Sequence, residues 1–242
     1  MTLVRLSKLM GEKGICSRRE ADVFIERGLV LVDGKVVSEL GTKVHPNAKI
    51  TLKTGAKSLQ DKKLTVLLNK PLGIVSCQPE KNYKEALSLI RNENRDPKFK
   101  TQQKLPPKLI KFAVAGRLDI NSKGLLVLTQ DGRIAKQLIS QDGEIEKEYL
   151  VRIEGEVTPS KINHLQFGLS LDGKPLKPAT VEELDTHFLR FVLKEGRKRQ
   201  IRRMCEEVDL KVSSIKRVRI GNVKLGSLKL GQWRFLEDHE AF

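Results

Sequence analysis

The apolar residues of this chain come in short runs, and that pattern most limits the folds open to it. Residues 64–68, 112–115, 125–128, 149–153 and 188–193 are each apolar, β-prone and only four to six residues long. Runs of that length suit strands, whereas a membrane span needs roughly 18 to 20 consecutive apolar residues. Residues 72–76 are a candidate continuation of the first run beyond Pro71. Helical spacing is confined to brief stretches: 83–90, 133–139 through Ile134 and Leu138, and 200–207 through Ile201 and Met204-Cys205. The segment carrying Val218, Ile220, Val223, Leu225, Leu228 and Leu230 reads as paired strands, or as a strand plus a loop. Strands with a few segregated helices, rather than a regular βαβ alternation, argue for an α+β fold.

The first sixty residues read as a separate unit. Leu6, Leu9 and Met10 have the spacing of a short amphipathic helix, which Gly11 and Gly14 should interrupt. Ser17-Arg18-Arg19-Glu20 is a capping-box pattern, because a Ser hydroxyl can accept a free backbone N–H while Glu reaches back to the cap. Ala21, Phe24 and Ile25 form the buried stripe of the helix that follows, and Gly28 stands where its C-terminal cap belongs. Asp33-Gly34, between residues 29–32 and 36–37, is a favoured two-residue hairpin turn. Residues 55–63 are polar and poor in apolar side chains, which suits a linker. A small module over 1–60 followed by a larger domain over 61–242 is therefore expected.

Charge narrows the function. The chain holds 46 Lys+Arg against 30 Asp+Glu, a net +16, which predicts attraction to a polyanion. Aromatic residues are only 5%, which favours basic patches that track a phosphate backbone over a stacking platform. Residues 1–63 carry 13 basic and 7 acidic side chains, with Arg5, Lys8, Ser17, Arg18, Arg19 and Lys35 placed around two helix starts and the hairpin. Free N–H groups at helix starts already bind phosphate, and nearby Arg strengthens that. Residues 190–224 carry twelve basic and four acidic side chains, and residues 84–111 eight and three. The last of these includes a Pro-interrupted loop over 92–108 that RNA could order, although a passive insertion explains it equally well. No membrane-binding amphipathic helix and no secretory signal are evident. Cys16, Cys77 and Cys205 are odd in number and far apart, and the four His are scattered, so neither a disulfide framework nor a metal site is expected. A reducing, cytoplasmic setting fits.

No phosphate-binding loop, dinucleotide fingerprint or zinc-protease motif is present. The segment Gly116-Arg117-Leu118-Asp119-Ile120-Asn121-Ser122-Lys123-Gly124 sets an acid beside a base at a strand-to-loop transition. On spacing alone, a turn in which Asp119 bonds its own backbone is the better account. Glu195 to Met204 holds five basic residues in seven positions, among them Arg199 and Arg202, enough to grip phosphate. Tyr149, one of two tyrosines, reads by itself as a core residue with a wet hydroxyl.

Taken in order, these stretches say more. Arg5-Leu6-Ser7-Lys8, residues 14–21 and Val32-Asp33-Gly34-Lys35 resemble the αL-type RNA-binding module named after ribosomal small-subunit protein S-four. Asn69-Lys70-Pro71-Leu72-Gly73, the Gly-Arg-Leu-Asp segment, Lys147-Glu148-Tyr149 and Arg199-Gln200-Ile201-Arg202-Arg203 resemble the successive motifs of a pseudouridine synthase. With Gly231-Gln232-Trp233-Arg234-Phe235-Leu236 at the end, nearly the whole chain resembles the RsuA family of rRNA pseudouridine synthases, the RluF-like large-subunit members above all.

The resemblance implies an α+β chain: the RNA-binding module, then a catalytic domain on a mixed, largely antiparallel sheet. It implies an isomerase that detaches uracil from ribose, rotates it and rejoins it through carbon 5, without cofactor or metal. The substrate would be structured RNA, ribosomal RNA first and transfer RNA second, and the enzyme a monomer. Asp119 would be the catalytic aspartate, attacking the sugar or the base, or taking a proton from the sugar. Arg202 would pair with Asp119, offsetting the desolvation that raises a buried carboxyl's pKa. Tyr149 would stack on the extruded base, and Arg117 would fill the gap left in the RNA. Lys70 and Arg199 would join the N-terminal cations in holding RNA. A non-catalytic ribosome-assembly factor is the alternative, which retention of Asp119 disfavours. Ser122 stands where many members have Thr, and Asp33 where the module usually has Asn. The loop over 81–111 is longer than in comparable members by about sixteen residues, and the chain ends at Phe242 without the long basic tail some members carry.

Overall fold

The computed structural model describes residues 2–61, 63–79, 82–99, 103–105, 112–140 and 143–242. Two compact units emerge, one of residues 1–65 with 129–137, the other of 66–128 with 138–242.

In the first unit, helix Leu6–Glu12 runs through Gly11, so only Gly14 interrupts the pattern, from the loop beyond. Helix Arg18–Glu26 starts at the expected capping box: the Ser17 hydroxyl accepts the Glu20 N–H at 3.3 Å, and Glu20 accepts the Ser17 N–H at 3.0 Å. Ala21, Phe24 and Ile25 are buried with Leu6, Leu9 and Met10 in one apolar cluster. Strands Val30–Val32 and Lys35–Val37 form the hairpin, and Ile50–Leu52 adds a third strand. Asp33 and Gly34 have φ of 49° and 81°, as a type I′ turn requires. The Asp33 carboxylate also accepts the Lys49 N–H at 2.9 Å, a contact that suits Asp or Asn at this position. The expected linker is instead helix Thr54–Asp61. One small residue, Ala56, buries fully into the cluster.

The second unit is built on a nine-stranded sheet among the described residues. The strand order is Thr180–Asp185, Phe188–Leu193, Lys147–Glu154, Lys211–Ile220, Lys123–Thr129, Thr65–Lys70, Trp233–Phe235, with Val223–Lys224 and Ala113–Ala115 paired at the side. Lys211–Ile220 pairs in parallel with Lys123–Thr129 and antiparallel with Lys147–Glu154. All six residues of Thr65–Lys70 are buried, and so are all but the first of Lys123–Thr129. Their middles, 66–68 and 125–128, are therefore unbroken apolar runs, while Lys147–Glu154 alternates. Residues 72–76 do not continue the first strand: it ends at Lys70, and Gly73 turns the chain with φ 75°. Helix Pro159–Gln166, not expected from apolar spacing, starts with Thr158 capping Lys161 N–H and Pro159 in the first turn. Among the described residues, no helix is long and apolar enough to cross a membrane.

Candidate active site

Asp119 lies on the connection between strands Ala113–Ala115 and Lys123–Thr129. Three sets of bonds fix that connection. The Ser122 N–H closes a turn onto the Asp119 carbonyl at 3.0 Å. The Ser76 hydroxyl accepts the Leu118 N–H at 2.9 Å and donates to the Leu118 carbonyl at 2.6 Å. The Gly73 N–H donates to the Ile120 carbonyl at 3.0 Å. The stretch after Asn69-Lys70-Pro71 thus clamps the backbone on both sides of Asp119. The Asp119 carboxylate itself is half-buried and makes no hydrogen bond or ion pair among the described residues. The backbone is immobilised, and the acid is left available to react.

Two cations, Lys70 and Arg202, feel its charge without bonding to it. Lys70 is fully buried, and its Nζ donates to the carbonyls of Pro71 at 2.9 Å and Ile74 at 2.7 Å. Burial pushes its ammonium down to about 8 against the attraction of Asp119, with Arg217 adding a smaller downward push. Arg217 is 2% exposed; its Nε donates to the Leu125 carbonyl at 2.7 Å and its Nη2 to the Gly116 carbonyl at 2.9 Å. Tyr149, buried, sits across the sheet from Arg217 on one side and Phe191 on the other. Lys147, on the same strand, is held below the usual lysine range by burial first, then by Arg217 and Lys177. Burial likewise lowers Arg202, with Arg199 adding to the effect and Asp119 opposing it.

The Lys70 shift has a readable consequence. Below pH 8 the ammonium is charged in both folded and unfolded chains. Between about 8 and the ordinary lysine value the unfolded chain binds more protons, so stability rises with pH. Over that window the wild type should gain stability relative to Lys70→Met, as followed by denaturant titration at each pH. A difference that does not change with pH would disprove the shift.

Several expected residues stand elsewhere than the sequence suggested. Lys70 was expected to hold RNA; it has no exposed surface and instead braces the turn after its own strand. Arg202 was expected to pair with Asp119. Its Nη1 instead donates to the Val212 carbonyl at 3.0 Å and its Nη2 to the Asn121 carbonyl at 2.8 Å, so it acts on the Asp119–Ser122 turn through backbone. Its Nε is buried without a hydrogen-bond partner. The Ser17 hydroxyl, expected at RNA, is engaged in its cap and lies against Gly132, where an added Cβ would come within 2.3 Å of the Ser17 Cβ. Arg5, Lys8, Arg18, Arg19, Lys35, Arg117 and Arg199 are exposed.

The basic run near Arg202 is mostly committed internally. Arg197 donates to the carbonyls of Leu171, Lys174 and Pro175, Arg203 pairs with Asp172, and Arg219 pairs with Glu146 and Glu148. Lys198 and Arg199 remain exposed without such partners among the described residues. Arg217 and Ser76 were not singled out in the sequence, yet they organise the site. Cys16 and Cys205 are buried, and burial pushes both thiols up to about 12, away from nucleophilic use. Among the described residues no cluster of three or more His, Cys, Asp or Glu could hold a metal ion.

Residues 64–207 match the RNA pseudouridylate synthase family, and residues 4–50 match the S4 domain. The chain is 34% identical over 241 residues to the dual-specificity RNA pseudouridine synthase RluF of Escherichia coli (strain K12), covering 98% of this chain and 77% of that one. It is 33% identical over 220 residues to ribosomal large subunit pseudouridine synthase B of Bacillus subtilis (strain 168), covering 88% and 84%. A crystal structure of a pseudouridylate synthase is similar with a TM-score of 0.66 and 26% sequence identity, over 97% of this chain and 96% of that one.

Proposed function

The chain belongs to the RNA pseudouridylate synthase family, and from that premise we propose that it converts one uridine of large-subunit ribosomal RNA to pseudouridine, with Asp119 as the catalytic residue. The observation that carries the site assignment is the Asp119 carboxylate: half-buried, unpaired, and mounted on a backbone clamped from Gly73 and Ser76. The bond from ribose C1′ to N1 breaks, uracil turns, C1′ bonds to C5, and the C5 proton leaves as N1 regains one. Attack on the sugar, attack on the base and proton removal from the sugar all begin with a free carboxylate. Uridine must leave the stack for that carboxylate to reach it. In this reading Tyr149 stacks on the extruded uracil and the exposed Arg117 enters the gap left behind. Arg202 is a positioning residue that holds the Asn121 carbonyl. The same reading is of a cytoplasmic monomer that needs neither metal nor cofactor.

RNA is gripped, in this proposal, mainly by the module within residues 1–60, through Arg5, Lys8, Arg18, Arg19 and Lys35. Arg18 and Arg19 occupy the first turn of their helix, where the helix dipole disfavours cations. A phosphate at that end would reverse the penalty. The double variant Arg18→Ala, Arg19→Ala should bind rRNA more weakly. Its log K against log salt should be shallower by about two, one per lost phosphate contact. An unchanged slope would remove these residues from the interface.

The deciding experiment maps pseudouridines in rRNA and tRNA from cells with and without the gene. Loss of one large-subunit rRNA site is expected. Loss confined to tRNA would overturn the substrate, and no loss would overturn the activity.

A further inference from the structure

The segment over 82–99 is tied down at both ends. At its start, the Val75 N–H donates to the Lys84 carbonyl at 3.0 Å and the Ala86 N–H to the Val75 carbonyl at 2.8 Å. Further on, Trp233 Nε1 donates to the Arg91 carbonyl at 2.6 Å and the Asp96 N–H to the Trp233 carbonyl at 2.9 Å. The Arg95 guanidinium lies over the rings of Trp233 and Phe235, at 5.8 and 5.1 Å, and that of Arg234 lies 4.6 Å from Phe99. Both Trp233 and Phe235 are fully buried.

On this fixed segment Tyr83 is 50% exposed and has no hydrogen-bond partner among the described residues. Lys84, Arg91 and Lys98 are exposed on the same segment against one exposed acid, Glu93, which suits a polyanion. Its link to the chemistry is short. Val75, which bridges Glu85, is next to Ser76, and Ser76 holds both backbone groups of Leu118, next to Asp119. The Tyr83 segment is thus tied through Val75 and Ser76 to the peptide that precedes Asp119.

We propose that Tyr83 is a stacking platform for an unpaired nucleobase of the RNA beside the target uridine, so that the 82–99 segment selects the substrate. This rests on RNA being the substrate, as proposed above. A phenol ring offers its face to any base, and stacking on aromatic side chains is sequence-tolerant. Pre-anchoring matters because the ring need not be ordered when RNA binds.

The test compares wild type, Tyr83→Phe and Tyr83→Ala on an unmodified large-subunit rRNA transcript, reading Kd, KM and kcat. Tyr83→Ala should weaken binding and raise KM by roughly five- to a hundred-fold, the range for loss of one stacked base, with kcat little changed. Tyr83→Phe should restore wild-type values, because the ring stacks without its hydroxyl. Ultraviolet cross-linking should join the RNA to the peptide containing Tyr83. Wild-type affinity in Tyr83→Ala, or equal damage in Tyr83→Phe, would overturn the proposal. A lowered melting temperature in Tyr83→Ala would also overturn it, by assigning the ring to folding. Should wild type bind the transcript without forming pseudouridine, the isomerase reading fails, while the binding comparison still decides Tyr83.

Discussion

Asp119→Asn is expected to lose pseudouridine formation by at least about a thousand-fold, within the range lost when a positioned acid–base group is removed. Affinity for the same rRNA transcript should stay within about two-fold of wild type. The two halves of that expectation come from different atoms. The Asp119 carbonyl, which the Ser122 N–H holds at 3.0 Å, survives the substitution, as do the clamps on Leu118 and Ile120. The carboxylate has no internal partner to lose, so the amide leaves no new buried group unsatisfied. What disappears is the negative charge and the ability to attack or to take a proton. Single-turnover assays with saturating enzyme separate chemistry from binding, and retained turnover in Asp119→Asn would sink the assignment. The substitution should also lower the Lys70 ammonium further, because Asp119 is what holds it up against burial. That companion shift reports that the two side chains share one field even though they do not touch.

What could be read from the sequence divides along physical lines. Local signals worked: the Ser17–Glu20 cap, the Asp33-Gly34 turn and the short apolar runs depend on neighbours a few residues away, and the folded chain keeps them. Thr158-Pro159 carries an equally local helix start, but Pro159–Gln166 buries only Leu165, so it has no apolar stripe to read. Direction was the harder problem. Counting treats every cation as surface, yet Lys70 is the sixth buried residue of a central strand, and Arg217 is buried beside Tyr149. For Arg217 a signal did exist, since Ile215 and Arg217 occupy one face of a period-two strand. For Lys70 there was none, because a lysine aimed at backbone carbonyls looks in sequence like one aimed at phosphate. Asp119 and Tyr149 stood out only through the resemblance of their surrounding motifs. That Arg202 would reach the Asn121 carbonyl rather than the carboxylate depends on contacts 81 residues apart in sequence. The anchoring of 82–99 on Trp233 is of the same long-range kind.

Gly124→Ala should cost about 3 to 5 kcal/mol, at the upper end of single-residue effects, and lower Tm by roughly 6 to 20 °C for a domain of this size. Gly124 faces Arg217 across the parallel pairing at the centre of the sheet, with φ of 107°. A Cβ there would come within 2.2 Å of the Arg217 carbonyl oxygen and 2.7 Å of its nitrogen. Neither can swing aside as a side chain would, so the two strands must separate. Separation would pull Arg217 from the Leu125 and Gly116 carbonyls and loosen the connection that carries Asp119. Activity should therefore fall even at temperatures where the variant remains folded. Gly168→Ala supplies the comparison: its φ is 89°, but nothing lies within 4 Å of the added carbon. That variant meets only the backbone penalty of a left-handed conformation, about 1 to 2 kcal/mol, and should keep full activity. Equal losses of stability at the two positions would mean that the close approach of Gly124 to Arg217 is not what holds the strand after Asp119 in place.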